Sequence, residues 1–243
     1  MKFLLITDLD NTLVGDDHGT YTLNQKLLAK RDKLYLIYAT GRSYSSALQL
    51  MNEKKLLEPD YWVTGVGTEI YYQGKRDTLW ESHISDQWEP RVILNIAKYF
   101  KQLLPQSLQE QNPWKISFSL DYPENIGVIE KLRSKLNAHG AVYQLIFSSQ
   151  KDIDIIPYKT NKGLAITYIR KFLQIPTDLT LVCGDSGNDI NLFEQLTIGT
   201  IVSNAQRELL DWYQNNSSSY IYLAHSSYAW GILDGLEYFQ LLK

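Results

Sequence analysis

The chain has 243 residues, 44% of them hydrophobic, enough for one large domain or one domain with a smaller insert around a real core. Its formal net charge of −3, with no long basic run, argues against a nucleic-acid partner, because little here could neutralise many phosphates. The lone Cys183 excludes an internal disulfide, no apolar stretch is long enough to span a membrane, and the apolar N-terminal run breaks at Asp8 with no small-residue cleavage site after it. The expectation is a soluble, cytoplasmic protein with no membrane partner.

Short, dense apolar runs read as strands buried on both faces. In chain order they are 3–7, 34–39, 61–64, 179–183, 199–202 and 220–223. Helical patterns fall between several of them: 43–51, 189–196, and 162–173 with Ile166, Ile169, Phe172 and Leu173 on one stripe. This alternation predicts an α/β fold, a Rossmann-like parallel sheet with helices on both faces. The middle of the chain differs. A helix is expected over 89–104, with Val92, Ile93, Ile96, Tyr99 and Phe100 at helical spacing. Trp114 to Leu120 alternates apolar with polar residues, as a half-buried strand does. Residues 125–139 read as a helix that Gly140 ends, and 142–147 and 151–156 as two strands joined by Ser148-Ser149-Gln150. The expected organisation is a core of 1–84 and 159–243 with an inserted smaller α/β domain, 85–158, whose sheet has one exposed face.

In a parallel sheet, ligands gather at the carboxyl ends of the strands. The first strand ends in Asp8-Leu9-Asp10-Asn11-Thr12. If the chain stays extended, both carboxylates face one spot. Two unit charges about 4 Å apart repel by roughly 4 kcal/mol at an effective dielectric of 20, or about three pKa units. A bound cation would relieve this, or one acid would stay protonated. An ionised carboxylate can attack phosphorus and a protonated one can serve a leaving group. The plain alternative is that Asp10 and Asn11 merely open a turn. A calcium loop fits poorly, since the glycine of its sharp turn is missing.

The second strand ends in Thr40-Gly41-Arg42-Ser43: a hydroxyl, an open backbone and a helix N-terminus suited to an anion, with Ser43 also a good N-cap. Lys162 opens a helix whose dipole it opposes, which hints at an anion nearby; otherwise it is a solvated lysine. The strand before Gly184-Asp185-Ser186-Gly187-Asn188-Asp189 delivers two more carboxylates, hard oxygen ligands that suit magnesium better than zinc. Asp189 could instead cap the next helix. His18, His83, His139 and His225 have no ligand spacing.

Together, Asp8-x-Asp10-x-Thr12, Thr40-Gly41-Arg42, Lys162 and Gly184-Asp185-x-x-Asn188-Asp189 resemble the motifs of the haloacid dehalogenase superfamily of phosphohydrolases. The insert between the second and third motifs is similar to the type IIB cap. ITDLDNTLVG, YATGRSY, PDYWVTGVGTEIY, QNPWKISF, DIDIIP and CGDSGNDINLF resemble the sucrose-phosphate phosphatase family of cyanobacteria and plants, nearly end to end.

The resemblance implies hydrolysis of sucrose 6-phosphate, the last step of sucrose synthesis. Asp8 would be the nucleophile that forms an aspartyl-phosphate, and Asp10 the acid and base. Mg²⁺ would be held by Asp8, the Asp10 carbonyl and Asp185, with Asp189 in support. Thr40, Gly41 and Lys162 would bind the phosphoryl oxygens. Candidate sugar contacts are Trp114, Lys115, Asp152 and Asp154 in the cap, and Glu69, Arg42, Ser43, Tyr44 and Asn188 in the core. Two alternatives remain: a phosphatase of a trehalose or mannosyl phosphate, and a non-catalytic module docking on sucrose-phosphate synthase. The second should show gaps at the catalytic acids, and none is missing. An enzyme could also bind the synthase.

Overall fold

The computed structural model describes residues 2–242. The chain begins with β1 (Phe3–Thr7), α1 (Asp17–Leu28), β2 (Leu34–Ala39), α2 (Tyr44–Lys54) and β3 (Tyr61–Thr64). It then folds back through β4 (Glu69–Tyr72), β5 (Lys75–Arg76) and α3 (Thr78–Ile84). A second unit follows: α4 (Pro90–Ala97), β6 (Leu103–Pro105), β7 (Ile116–Leu120), α5 (Gly127–Ala138), β8 (Gln144–Ser148) and β9 (Asp152–Ile156). The chain closes with α6 (Lys162–Leu173), β10 (Thr180–Gly184), α7 (Ile190–Phe193), β11 (Ile198–Ile201), α8 (Arg207–Asn216), β12 (Ile221–Leu223) and α9 (Tyr228–Tyr238).

The large sheet runs β12-β11-β10-β1-β2-β3-β4-β5. Its six strands from β12 to β3 are parallel, while β4 and β5 turn back antiparallel at one edge. Period-two alternation sends Leu5, Leu36 and Tyr38 to one face, where α1, α2 and α9 cover them. Leu4, Ile6 and Ile37 point to the other face, under α3, α6, α7 and α8. Each such fully buried aliphatic side chain contributes about 1.5–3 kcal/mol. The burial of both faces explains why these strands read as unbroken apolar runs.

The small sheet, β6-β7-β9-β8, is antiparallel throughout, and all its strands lie between residues 103 and 156. Helices α4 and α5 cover one face with Ile93, Ile96, Leu132 and Leu136, over Phe118, Ile153 and Ile155.

Three expectations need correction. The helix expected over 89–104 ends at Ala97, and Leu103–Pro105 is an edge strand, where a proline with no N–H is tolerated. Tyr99 is consequently exposed. Phe172 is 75% exposed and leaves the stripe of α6, whose buried face is Lys162, Gly163, Ala165, Ile166 and Ile169. The second face of the small sheet is polar but not exposed: Lys115, Ser117 and Asp154 are buried, because that face is turned toward the end of the large sheet. Among the described residues, no helix is long and apolar enough to cross a membrane.

Candidate active site

Strand order reverses between β1 and β10, and their carboxyl ends lie side by side, the Asp8 N–H donating to the Cys183 carbonyl at 3.0 Å. Such a switch point opens a crevice. Asp8 follows β1 and Asp185 follows β10, so topology alone brings together acids 177 residues apart. The Thr12 hydroxyl donates to Asp185 Oδ1 at 3.2 Å. Lys162 enters from the first turn of α6, fully buried. Its Nζ donates to Asp8 Oδ1, Asp189 Oδ1 and Asn188 Oδ1, each at 2.7 Å. The anions that its sequence position hinted at are therefore carboxylates of the protein itself.

Asp189 is fully occupied. Its Oδ2 accepts the N–H groups of Asp185 and Ser186 at 3.0 and 3.1 Å, while its Oδ1 takes Lys162. It shapes the loop that presents Asp185, closing a capping box with Ser186.

Asp10 departs from the expected pairing with Asp8. Its two oxygens are gripped by the fork of Arg42, Nε to Oδ2 and a terminal nitrogen to Oδ1, both at 2.7 Å. Past Asp10 the chain turns: Asn11 adopts φ +60° and Asp10 bridges to Val14. The clustered acids are Asp8, Asp185 and Asp189, with ligand oxygens all within 4.8 Å of one another; the Asp10 carboxylate is not among them.

In the loop after β2, the Thr40 hydroxyl accepts the Arg42 N–H at 3.1 Å and the Gly41 carbonyl accepts Lys115 Nζ at 2.9 Å. Ser43 caps α2, as its plain reading held, and its own N–H donates to Glu110 at 3.1 Å. From the small sheet, Ser117 donates to Asp154, and Asp152 accepts both Ser119 and Gln106 at 3.0 Å.

Between the two sheets lies a cavity of about 260 Å³. Asp8, Asp10, Gly41, Arg42, Asp185 and Asn188 line it from the large-sheet side, and Lys115, Asp152 and Asp154 from the small sheet. Thr40, Lys162 and Asp189 are buried behind this wall. Four expected sugar contacts lie off it. Tyr44 stacks on Tyr71 with ring centroids 3.8 Å apart. Glu69 accepts the Thr64 hydroxyl at 3.0 Å within the large sheet. Trp114 donates its indole N–H to Ser85 at 2.8 Å and packs with the large-sheet core. Ser43 is spent on capping. Conversely, Asn11, Gln106, Glu110, Ser148, Ser149 and Ser186 line the cavity without having been singled out. Asn11, Ser186 and the Ser148-Ser149 pair carried turn signals in the sequence; Gln106 and Glu110 carried none.

The model of the Sucrose-6F-phosphate phosphohydrolase family matches residues 1–240. The chain belongs to that family. It is 33% identical to sucrose-phosphatase 1 of Nicotiana tabacum, over 99% of this chain and 60% of the relative. It thus spans about 60% of the length of the plant proteins it matches. It is 31% identical to the mannosylfructose-phosphate phosphatase of Agrobacterium fabrum, over 98% of this chain and 97% of that protein. Among solved structures, the sucrose-phosphatase of Synechocystis sp. in complex with sucrose and phosphate matches with a TM-score of 0.95. That match has 47% identity and covers 99% of each chain.

The electrostatics of this Sucrose-6F-phosphate phosphohydrolase family member ask for a cation. Asp8, Asp185 and Asp189 converge, and among the described residues Lys162 is the one cation paired with them, through Asp8 and Asp189. Burial pushes Asp8 up to about 7; the Lys162 charge opposes this, and the Asp189 and Asp10 charges add to it. Burial and then the Asp8 and Asp189 charges push Asp185 up to about 9. Lys162 is pushed up despite its burial, by the charges of Asp189 and Asp8. Hard carboxylate oxygens with unbalanced negative charge fit a divalent cation.

Proposed function

We propose that the chain hydrolyses sucrose 6-phosphate to sucrose and phosphate with Mg²⁺, and that residues 85–158 serve as its cap over a core of 1–84 and 159–243. The observation that carries this is the near-complete match to a structure described with sucrose and phosphate. A polar cavity that ends at Asp8 supports it. In this reading the Asp8 carboxylate attacks phosphorus and the bond to the sugar oxygen breaks, leaving an aspartyl-phosphate. Asp10 protonates the departing oxygen, then takes a proton from the water that cleaves the intermediate. The phosphate's oxygens compete for Arg42, and this frees Asp10 to turn toward the leaving group. Gly41 meets the phosphoryl oxygens at the cavity wall, and Thr40 and Lys162 act on them from the buried layer behind it, Lys162 through its charge. Lys115, Asp152, Asp154 and Asn188 meet sugar hydroxyls. Held by Asp8, Asp185 and the Asp10 carbonyl, Mg²⁺ would neutralise charge gathering on the phosphoryl group. Phosphoryl transfer depends mainly on such positioning and neutralisation.

A cytoplasmic location belongs to the same reading, as does sucrose-phosphate synthase as a partner; the single cysteine, fully buried, suits a reducing compartment. The Agrobacterium relative favours one second substrate, a mannosylfructose phosphate. Phosphate release from sucrose 6-phosphate, mannosylfructose phosphate, trehalose 6-phosphate, glucose 6-phosphate and fructose 6-phosphate separates the cases. A sucrose 6-phosphate preference of at least about 10²-fold in kcat/KM is expected, because unpaired polar groups in the cavity penalise the wrong sugar. A comparable rate on another substrate would reassign the cavity.

The raised acids also predict a pH signature. A carboxyl whose folded pKa exceeds 3.8 gives its full stability contribution below that value and loses it as pH climbs to the folded pKa. Metal-free protein should therefore lose stability between about pH 4 and the values near 7 and 9 carried by Asp8 and Asp185. Because Mg²⁺ competes with those protons, the melting-temperature rise it produces should grow across the same window. Equal shifts at pH 5.5 and 8.5 would contradict this cation site.

A further inference from the structure

Gly187 has no local reason to be glycine. It opens the 3-10 turn Gly187–Asp189, and its φ lies outside the left-handed range. Any residue could adopt its backbone conformation. Its side-chain space is nonetheless taken. A Cβ there would lie 2.4 Å from the carbonyl oxygen of Phe147 and 2.9 Å from Cγ of Glu208. The first is backbone of β8 in the small sheet, which cannot rotate away. The constraint comes from the small sheet reaching across to the loop that carries Asp185 and Asn188.

A second contact lies beside it. Glu208, in the first turn of α8, accepts the Ser149 N–H at 2.8 Å. Ser149 and Gln150 form the tight turn between β8 and β9, both at positive φ. Ser148 and Ser149 line the cavity opposite Asp185, Ser186 and Asn188. Seating this turn therefore completes the cavity wall on the side of the acid loop.

We infer that Gly187 and Glu208 form the seat on which the Phe147–Gln150 turn docks, and that they are positioning residues for turnover of the sugar phosphate. This rests on the sucrose 6-phosphate reading above. Glycine keeps the seat flat and Glu208 fixes the turn's height. The seated turn holds the sugar against the acid loop and closes that edge to water. A small phosphoester that never touches the small sheet does not use the seat.

The test is steady-state kinetics of Gly187→Ala and Glu208→Ala with sucrose 6-phosphate and with para-nitrophenyl phosphate. Melting temperatures and hydrogen exchange over 145–152 are followed in parallel. Gly187→Ala should lower kcat/KM for sucrose 6-phosphate about 10²-fold, mainly through KM, because the docked geometry is lost by more than an ångström. Glu208→Ala, which removes one charge-assisted hydrogen bond at a half-buried position, should lower it about tenfold. Turnover of para-nitrophenyl phosphate should change less than about twofold in either, since no remote binding energy is involved. Exchange over 145–152 should quicken in both variants without substrate. Equal losses on both substrates would overturn the proposal by showing that the acid loop itself is distorted. Unchanged kinetics and exchange would overturn it too. If wild type cleaves only the small ester, the sugar assignment fails, and the exchange comparison still decides the seat.

Discussion

Replacing Asp8 with asparagine is expected to reduce phosphate release by at least about 10⁴-fold while leaving the fold intact, because losing a nucleophile removes the chemical step itself. The exchange is nearly isosteric. An amide oxygen at this position can still accept the Lys162 ammonium, which now lies 2.7 Å from Asp8 Oδ1. Phosphate binding should survive. Stability should move the other way: Asp8 is buried beside two other carboxylates and is pushed up to about 7. Removing its charge should stabilise the metal-free protein by on the order of 2 kcal/mol near pH 8. Phosphate-release assays and urea melts report the two effects separately. Residual activity within tenfold of wild type would move the nucleophile elsewhere, and an unchanged melt would mean that the three acids do not share one charge problem.

The second large effect should come from Lys162→Met. The variant roughly keeps the volume of the side chain and removes its charge together with the three hydrogen bonds its ammonium donates. Lys162 is fully buried between Asp8 and Asp189, so its loss leaves carboxylates that no direct cation matches. Breaking a buried pair in this way costs about 3–5 kcal/mol. The deficit should be largest near pH 8 and shrink toward pH 5, where the acids take up protons instead. Activity should fall about 10²–10³-fold, the usual loss when one fixed donor to a developing charge is removed. Urea melts at the two pH values, beside kcat, test both halves. A pH-independent loss would mean that the lysine acts by packing alone.

Much of this was legible in the sequence because the large sheet is parallel and buried on both faces. Its strands had to be short apolar runs, and the chemistry had to follow their carboxyl ends. The acids at Asp8 and Asp185, the Thr40-Gly41 loop and the helix that starts at Lys162 could be found that way. Helices α1, α3, α8 and α9 and strands β4, β5 and β6 were not found. Strand β4 belongs to an antiparallel edge, and α8 is largely polar with one buried residue, Leu209.

Side-chain orientation was a different matter. Spacing by two put Asp8 and Asp10 on one cavity, as found, but Arg42 claims the Asp10 carboxylate. No local rule names a partner 32 residues away. Trp114 read as a sugar platform on hydrophobicity and place, yet apolar surface goes to the nearest apolar neighbour, and the large-sheet core was nearer. Lys115 and Asp154 read as sugar contacts on a sheet face expected to be exposed; that face is buried against the other sheet, and both line the cavity there. The sequence by itself determined which residue types stand at each strand end, because periodicity and turn chemistry act over a few residues. Only the tertiary structure decided which of them meet. Packing and charge pairing act across any separation in the chain, and the small sheet's approach even dictates a glycine at 187.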